Sequence, residues 1–144
     1  MLAETIIGFD FGERRIGVAV GNRLTQSARP IDTLPAREGE PDWARVEHVL
    51  KAWKPALIVV GLPLLSDGSE QPFTERARSF ADAVGARFGL PVEMISEVLS
   101  SRAAADRLRA ARANGRKRRV QKGEIDAEAA CLIVQTWLQE HAAS

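Results

Sequence analysis

Thr5-Ile6-Ile7-Gly8-Phe9-Asp10, followed after the turn-like Gly12-Glu13-Arg14-Arg15 by Ile16-Gly17-Val18-Ala19-Val20-Gly21, sets the fold of this 144-residue chain. Both are short apolar runs suited to strands, and Ala28 to Leu34 supplies a third, so the chain opens as an antiparallel meander. Alternation follows. Trp43, Val46, Val49, Leu50 and Trp53 share one face of a helix that starts after Pro41-Asp42. Leu57-Ile58-Val59-Val60-Gly61 reads as a buried strand. A helix from Pro72 to Phe88 carries Phe73, Ala77, Phe80, Ala81 and Val84 on one side and is broken by Gly89-Leu90-Pro91. Val92 to Ile95 returns as a strand, and two helices, from Ser101 to near Arg112 and from Glu124 to near Glu140, complete the chain. The order βββαβαβαα predicts an α/β fold: a mixed five-stranded sheet, three strands antiparallel and two parallel, flanked by helices in one domain over residues 1–144.

Composition narrows the function classes. Apolar residues make up 45% and charged residues 27%, the balance of a globular protein with a real core. No apolar run approaches the roughly 20 residues needed to cross a bilayer, and no basic leader precedes an apolar stretch, so a cytoplasmic protein without membrane contact is expected. Cys131 is the single cysteine. It excludes an internal disulfide, and its place in an apolar helix predicts a buried, inert thiol.

The net charge of +1 conceals an asymmetry. From Arg102 to Lys122 there are nine basic residues and one acid, Asp106, giving +8, while the remaining 11 basic and 18 acidic residues give −7. A run of one sign cannot be explained by i,i+4 pairing, and a basic stripe of this kind is the electrostatic footprint of a nucleic-acid-binding protein. Arg102, Arg116, Lys117, Arg118, Arg119 and Lys122 are the candidate phosphate-contacting residues.

Three carboxylates stand at the ends of separate elements: Asp10 closes the first strand, Glu97 follows the strand that ends near Ile95, and Asp126 falls in the first turn of the last helix. Strand C-termini of an α/β sheet form the rim where ligands usually bind. Asp126 precedes Ala129, Ala130 and Ile133 by three, four and seven residues, which puts it on the core-facing stripe, where two alanines let the helix approach the sheet. Converging carboxylates are best satisfied by hard cations with oxygen ligands, Mg²⁺ or Mn²⁺. Two such ions about 3.5–4 Å apart activate water and stabilise the leaving oxygen in phosphodiester hydrolysis. The chain reads as a metal-dependent nuclease, with Asp10, Glu97 and Asp126 both catalytic and metal-ligating.

Several stretches, in order and over nearly the whole chain, resemble the YqgF/RuvX family. They are Ile7-Gly8-Phe9-Asp10-Phe11-Gly12 with Arg15-Ile16-Gly17-Val18-Ala19; Val60-Gly61-Leu62-Pro63 with Asp67-Gly68-Ser69; Glu97-Val98-Leu99-Ser100-Ser101; and Lys122 to Ala130. Members are described as pre-16S rRNA nucleases and as Holliday junction resolvases with a ribonuclease H-like fold. The resemblance implies that Asp10, Glu97 and Asp126 are the metal ligands and that the substrate is the 5′ end of pre-16S rRNA, in ribosome biogenesis. Ser96 and Val98 depart from the Asp and Arg that commonly flank the second acid in the family, and Ser101 replaces a Thr.

Two other readings compete. Asp10-Phe11-Gly12 with Gly17 also resembles the phosphate-binding hairpin of actin- and sugar-kinase-like ATPases, but those enclose nucleotide between two such domains and this chain has the length of one. A non-catalytic nucleic-acid-binding protein of ribosome assembly would keep the basic surface and use the acids structurally. The partner in either nucleic-acid reading is structured RNA or a DNA junction, and the protein a monomer or weak homodimer. Arg14, Arg15 and Arg23 are either phosphate contacts or exposed, Ser66 and Ser69 are candidate backbone contacts, and His48 is expected on the surface.

Overall fold

The computed structural model describes residues 4–12, 14–62, 72–96 and 122–141, with side chains described from Phe73 in the second helix and from Asp126 in the last. Six strands and three helices lie in that part of the chain. They are β1 (Thr5–Phe11), β2 (Arg15–Asn22), β3 (Ser27–Arg37), β4 (Glu40–Pro41), α1 (Trp43–Trp53), β5 (Leu57–Leu62), α2 (Pro72–Phe88), β6 (Val92–Ser96) and α3 (Lys122–Glu140). The helix expected over Ser101 to Arg112 falls outside the described residues.

The sheet order is β4-β3-β2-β1-β5-β6. β1 pairs antiparallel with β2 and parallel with β5, which pairs parallel with β6, so the meander and the two crossover strands stand as the patterns indicate. The sixth strand is the correction. Glu40–Pro41 turns back through Glu38 and Gly39, both at positive φ, to pair with Ala36 and Arg37. Two residues carry no alternation to read, so this strand could not be found from pattern. β3 is longer than expected and contains Pro30 and Pro35. A register shift opposite Val18/Ala19 accommodates the extra residue, and prolines are tolerated where a strand's outer edge has few partners.

The sheet separates two cores. On one face Ile7, Phe9, Phe11, Ile16 and Val18 pack with Val46, Leu50, Phe80 and Val84 of α1 and α2. On the other, Ile6, Ala19, Leu57 and Val59 pack against Ala130, Ile133, Val134 and Trp137 of α3, with Cys131 buried among them. The strict alternation of Ile6/Gly8/Asp10 against Ile7/Phe9/Phe11 is what assigns each side chain its face. α1 begins at Asp42, whose carboxylate accepts from the Arg45 amide, and His48 is exposed on it, as expected.

Candidate active site

β1, β5 and β6 run in one direction, so Asp10, Leu62 and Ser96 end at a common rim. Asp10 is directly opposite Gly17 in the β1–β2 ladder. Partners in an antiparallel pair point to the same face and stand about 4.5–5.5 Å apart. A Cβ built on Gly17 would lie 1.9 Å from the backbone oxygen of Asp126 and 2.9 Å from the Ala127 nitrogen, so α3 rests on bare backbone there. On the same strand as Asp10 and two residues before it, a Cβ on Gly8 would meet Val134 Cγ2 at 2.3 Å and the Ala130 oxygen at 3.3 Å. Asp10 therefore shares its sheet face with α3, and the helix brings Asp126 beside it. The Asp126 main chain, 116 positions further along the sequence, thus lies over the residue paired with Asp10.

The opposite side of β1 fixes that rim. Phe11, next to Asp10, stacks on Phe80 of α2 at 4.8 Å between ring centroids and on Phe73 at 5.3 Å. Asp10 itself is 9% exposed, unusual for an ionisable side chain and open enough for a small ligand. Asp126 is half-buried and accepts a hydrogen bond from Arg15 Nε at 2.5 Å, a charged pair across the start of β2.

Sequence alone allows Arg15 to be a phosphate contact or an exposed residue; the structure pairs it with a candidate ligand, and nothing local in the sequence reports that pairing. Arg23 instead lies over the Trp137 ring at 5.4 Å, away from the carboxylates. α3 begins at Lys122, so Asp126 sits in its second turn rather than its first, and proximity to Arg15 and Asp10, not the helix dipole, defines its surroundings. Glu97 follows immediately after the end of β6 and lies outside the described residues. So do the loop 63–71 with Ser66 and Ser69, and the basic residues Arg102, Arg116, Lys117, Arg118 and Arg119; Lys122 is the first residue of α3.

Asp10 and Asp126 supply only oxygen donors, half-buried or better and on one face, which fits a hard divalent cation. Among the described residues alone no group of three ligating side chains is complete. A separate open groove of about 450 Å³ lies on the opposite face, lined in part by Trp43, Arg76 and Arg87. It contains neither carboxylate.

A mixed sheet with a helix laid across its first two strands defines a class, the ribonuclease H-like fold. Solved structures agree. RuvC of Thermus thermophilus in complex with a Holliday junction substrate superposes with TM-score 0.55 at 21% identity, covering 97% of this chain and 98% of that one. The Fowlpox virus resolvase bound to Holliday junction DNA gives TM-score 0.57 at 11% identity, over 94% and 97%. Sequence comparison carries this further: the profile described as "RuvX: Holliday junction resolvase" matches residues 4–140. A protein of Edwardsiella ictaluri named "Putative pre-16S rRNA nuclease" is 47% identical over 139 residues, 96% of this chain and 97% of that protein. One of the same name from Yersinia enterocolitica is 44% identical over 146 residues, 99% of both. The chain belongs to the RuvX family.

Proposed function

We propose that the chain is a single-domain, metal-dependent nuclease that hydrolyses phosphodiester bonds in structured RNA, with the pre-16S rRNA precursor as substrate and Mg²⁺ or Mn²⁺ as cofactor. The observation that supports the reading is that the Asp126 main chain rests on Gly17, the residue paired with Asp10, so that both acids belong to the same sheet face. Glu97, next in sequence after β6, is the third ligand of the proposed set. A bound divalent cation would supply charge to the scissile phosphate and an acidified water. The chain's own part is to hold carboxylate oxygens at the rim, Asp10 from a buried strand and Asp126 from a helix packed on backbone. The reaction needs no covalent intermediate, and the thiol of Cys131 takes no part in it, being buried in the core below α3. The basic residues Arg102, Arg116, Lys117, Arg118, Arg119 and Lys122 hold the flanking strand through its phosphates.

RNA is favoured because full-length relatives at 44–47% identity carry the rRNA nuclease name, whereas the likeness to junction-bound structures rests on 11–21% identity. A substrate made by transcription implies a cytoplasmic protein, acting as a monomer or weak homodimer. The family description favours a second reading, resolution of four-way DNA junctions, which requires two active sites related by two-fold symmetry. The deciding experiment is a cleavage assay on matched pre-16S RNA and four-way DNA junctions in Mg²⁺ or Mn²⁺. It is run with wild type, Asp10→Asn, Glu97→Gln and Asp126→Asn. RNA cleavage lost in each variant supports the reading, and junction cleavage alone selects the second. Substantial residual activity in one variant removes that residue from the site, and no cleavage by wild type favours a non-catalytic assembly protein.

A further inference from the structure

Asp126 already has a cationic partner. Arg15 Nε donates to Asp126 Oδ2 at 2.5 Å, with 37% of the arginine side chain and 23% of the aspartate side chain exposed. The pair is held from both backbones. Arg15 opens β2 two residues before Gly17, and Gly17 is the residue on which the Asp126 main chain rests. The two main chains are thereby fixed close to one another.

We infer that Arg15 is a positioning residue that competes with the divalent cation for Asp126, and so sets the cation concentration at which the site fills. The inference rests on the reading of Asp10 and Asp126 as metal ligands. Its physical basis is that a guanidinium and a dication cannot both sit against one carboxylate without mutual repulsion in a half-buried setting. Binding of the cation must therefore break or weaken the Arg15–Asp126 pair, and whatever that pair contributes to the folded protein is subtracted from cation affinity. The opposite arrangement is physically distinct. If Arg15 held the far oxygen of Asp126 and aimed the near one at the metal, its removal would weaken binding.

Partly exposed ion pairs contribute an amount equivalent to about two- to fivefold in an equilibrium constant. The test is a Mn²⁺ titration of the full chain, following free Mn²⁺ by electron paramagnetic resonance, on wild type, Arg15→Met, Arg15→Lys and Asp10→Asn. Arg15→Met is expected to bind Mn²⁺ about two- to fivefold more tightly, and Arg15→Lys to fall between it and wild type. Melting provides an independent readout. Arg15→Met should melt below wild type in EDTA and together with it at saturating Mn²⁺, because the pair is absent from both metal-bound proteins. Equal or weaker Mn²⁺ binding by Arg15→Met, with wild type binding and Asp10→Asn impaired, overturns the inference and leaves the metal site standing. Wild-type binding no better than Asp10→Asn overturns the metal-site reading itself and the inference with it.

Discussion

Replacing Gly17 with alanine should push α3 off the sheet at the point where the Asp126 main chain rests beside the Asp10 strand. The φ of Gly17 is not in the left-handed region, so an alanine is sterically excluded only by its neighbours. Those neighbours are main chain: the new Cβ would fall 1.9 Å from Asp126 O and 2.3 Å from Asp126 C. Reaching an ordinary contact of 3.4 Å requires α3 to retreat by about 1.5 Å at its N-terminal end, and no side-chain rotation can absorb it. Overpacking of this kind costs about 1–3 kcal/mol, partly offset by about 0.4–1 kcal/mol from the stiffer unfolded chain. The net cost is then about 0.6–2 kcal/mol, and at roughly 2–4 °C per kcal/mol for a chain of this size the melting temperature should fall by about 1–8 °C. The functional loss should be larger in proportion. Asp126 would move away from Asp10, and a misplacement near 1 Å costs on the order of 100-fold in rate.

Gly85→Ala in α2 is the control. Its Cβ would meet Val92 Cγ2 at 3.3 Å and the Leu90 oxygen at 3.5 Å, contacts that a few tenths of an ångström relieve. Alanine is also favoured over glycine inside a helix by about 1 kcal/mol. Thermal denaturation by circular dichroism, Mn²⁺ binding and RNA cleavage, measured on both variants, separate the cases. Gly17→Ala melting at or above wild type, outside the fall of about 1–8 °C just derived, with unimpaired Mn²⁺ binding, would refute the argument that bare backbone at this position builds the site.

In EDTA, Asp126→Asn should melt up to about 4 °C below wild type because it strips Arg15 of its partner; differential scanning calorimetry measures the shift. Replacing Arg116, Lys117, Arg118 and Arg119 with alanine should weaken RNA binding evenly across sequences and leave Mn²⁺ affinity intact. The salt dependence of binding should flatten by about 0.7–0.9 for each phosphate that the variant no longer neutralises. Unchanged affinity and slope in that quadruple variant would move the nucleic-acid surface elsewhere. Asp42→Ala removes the side chain that caps α1 at the Arg45 amide and should cost about 0.5–2 kcal/mol by urea denaturation, with cleavage unaffected at low temperature.

Local pattern in the sequence was enough for β1, β2, β5, β6 and the three helices among the described residues. Ile6 to Phe11 and Ile16 to Gly21 alternate with a period of two, Trp43 to Trp53 with the period of a helix, and Gly89-Leu90-Pro91 marks a stop; each is a property of neighbours in the chain. Ala129, Ala130 and Ile133 likewise put Asp126 on the buried stripe, and all three are buried in the structure. What depended on partners far along the chain was not legible. The two-residue β4 exists only through its pairing with β3. Nothing local to Gly8, Gly17 and Gly21 reports a neighbour, and only α3 lying across them shows that they make room for a helix. The salt bridge between Arg15 and Asp126 spans 111 positions, and no motif announces it. The placement of Asp10 on the face that α3 covers depends most on tertiary structure, because it follows from the register that sets Asp10 opposite Gly17. A slip of one residue in that ladder would turn Asp10 to the other face of the sheet with its sequence unchanged.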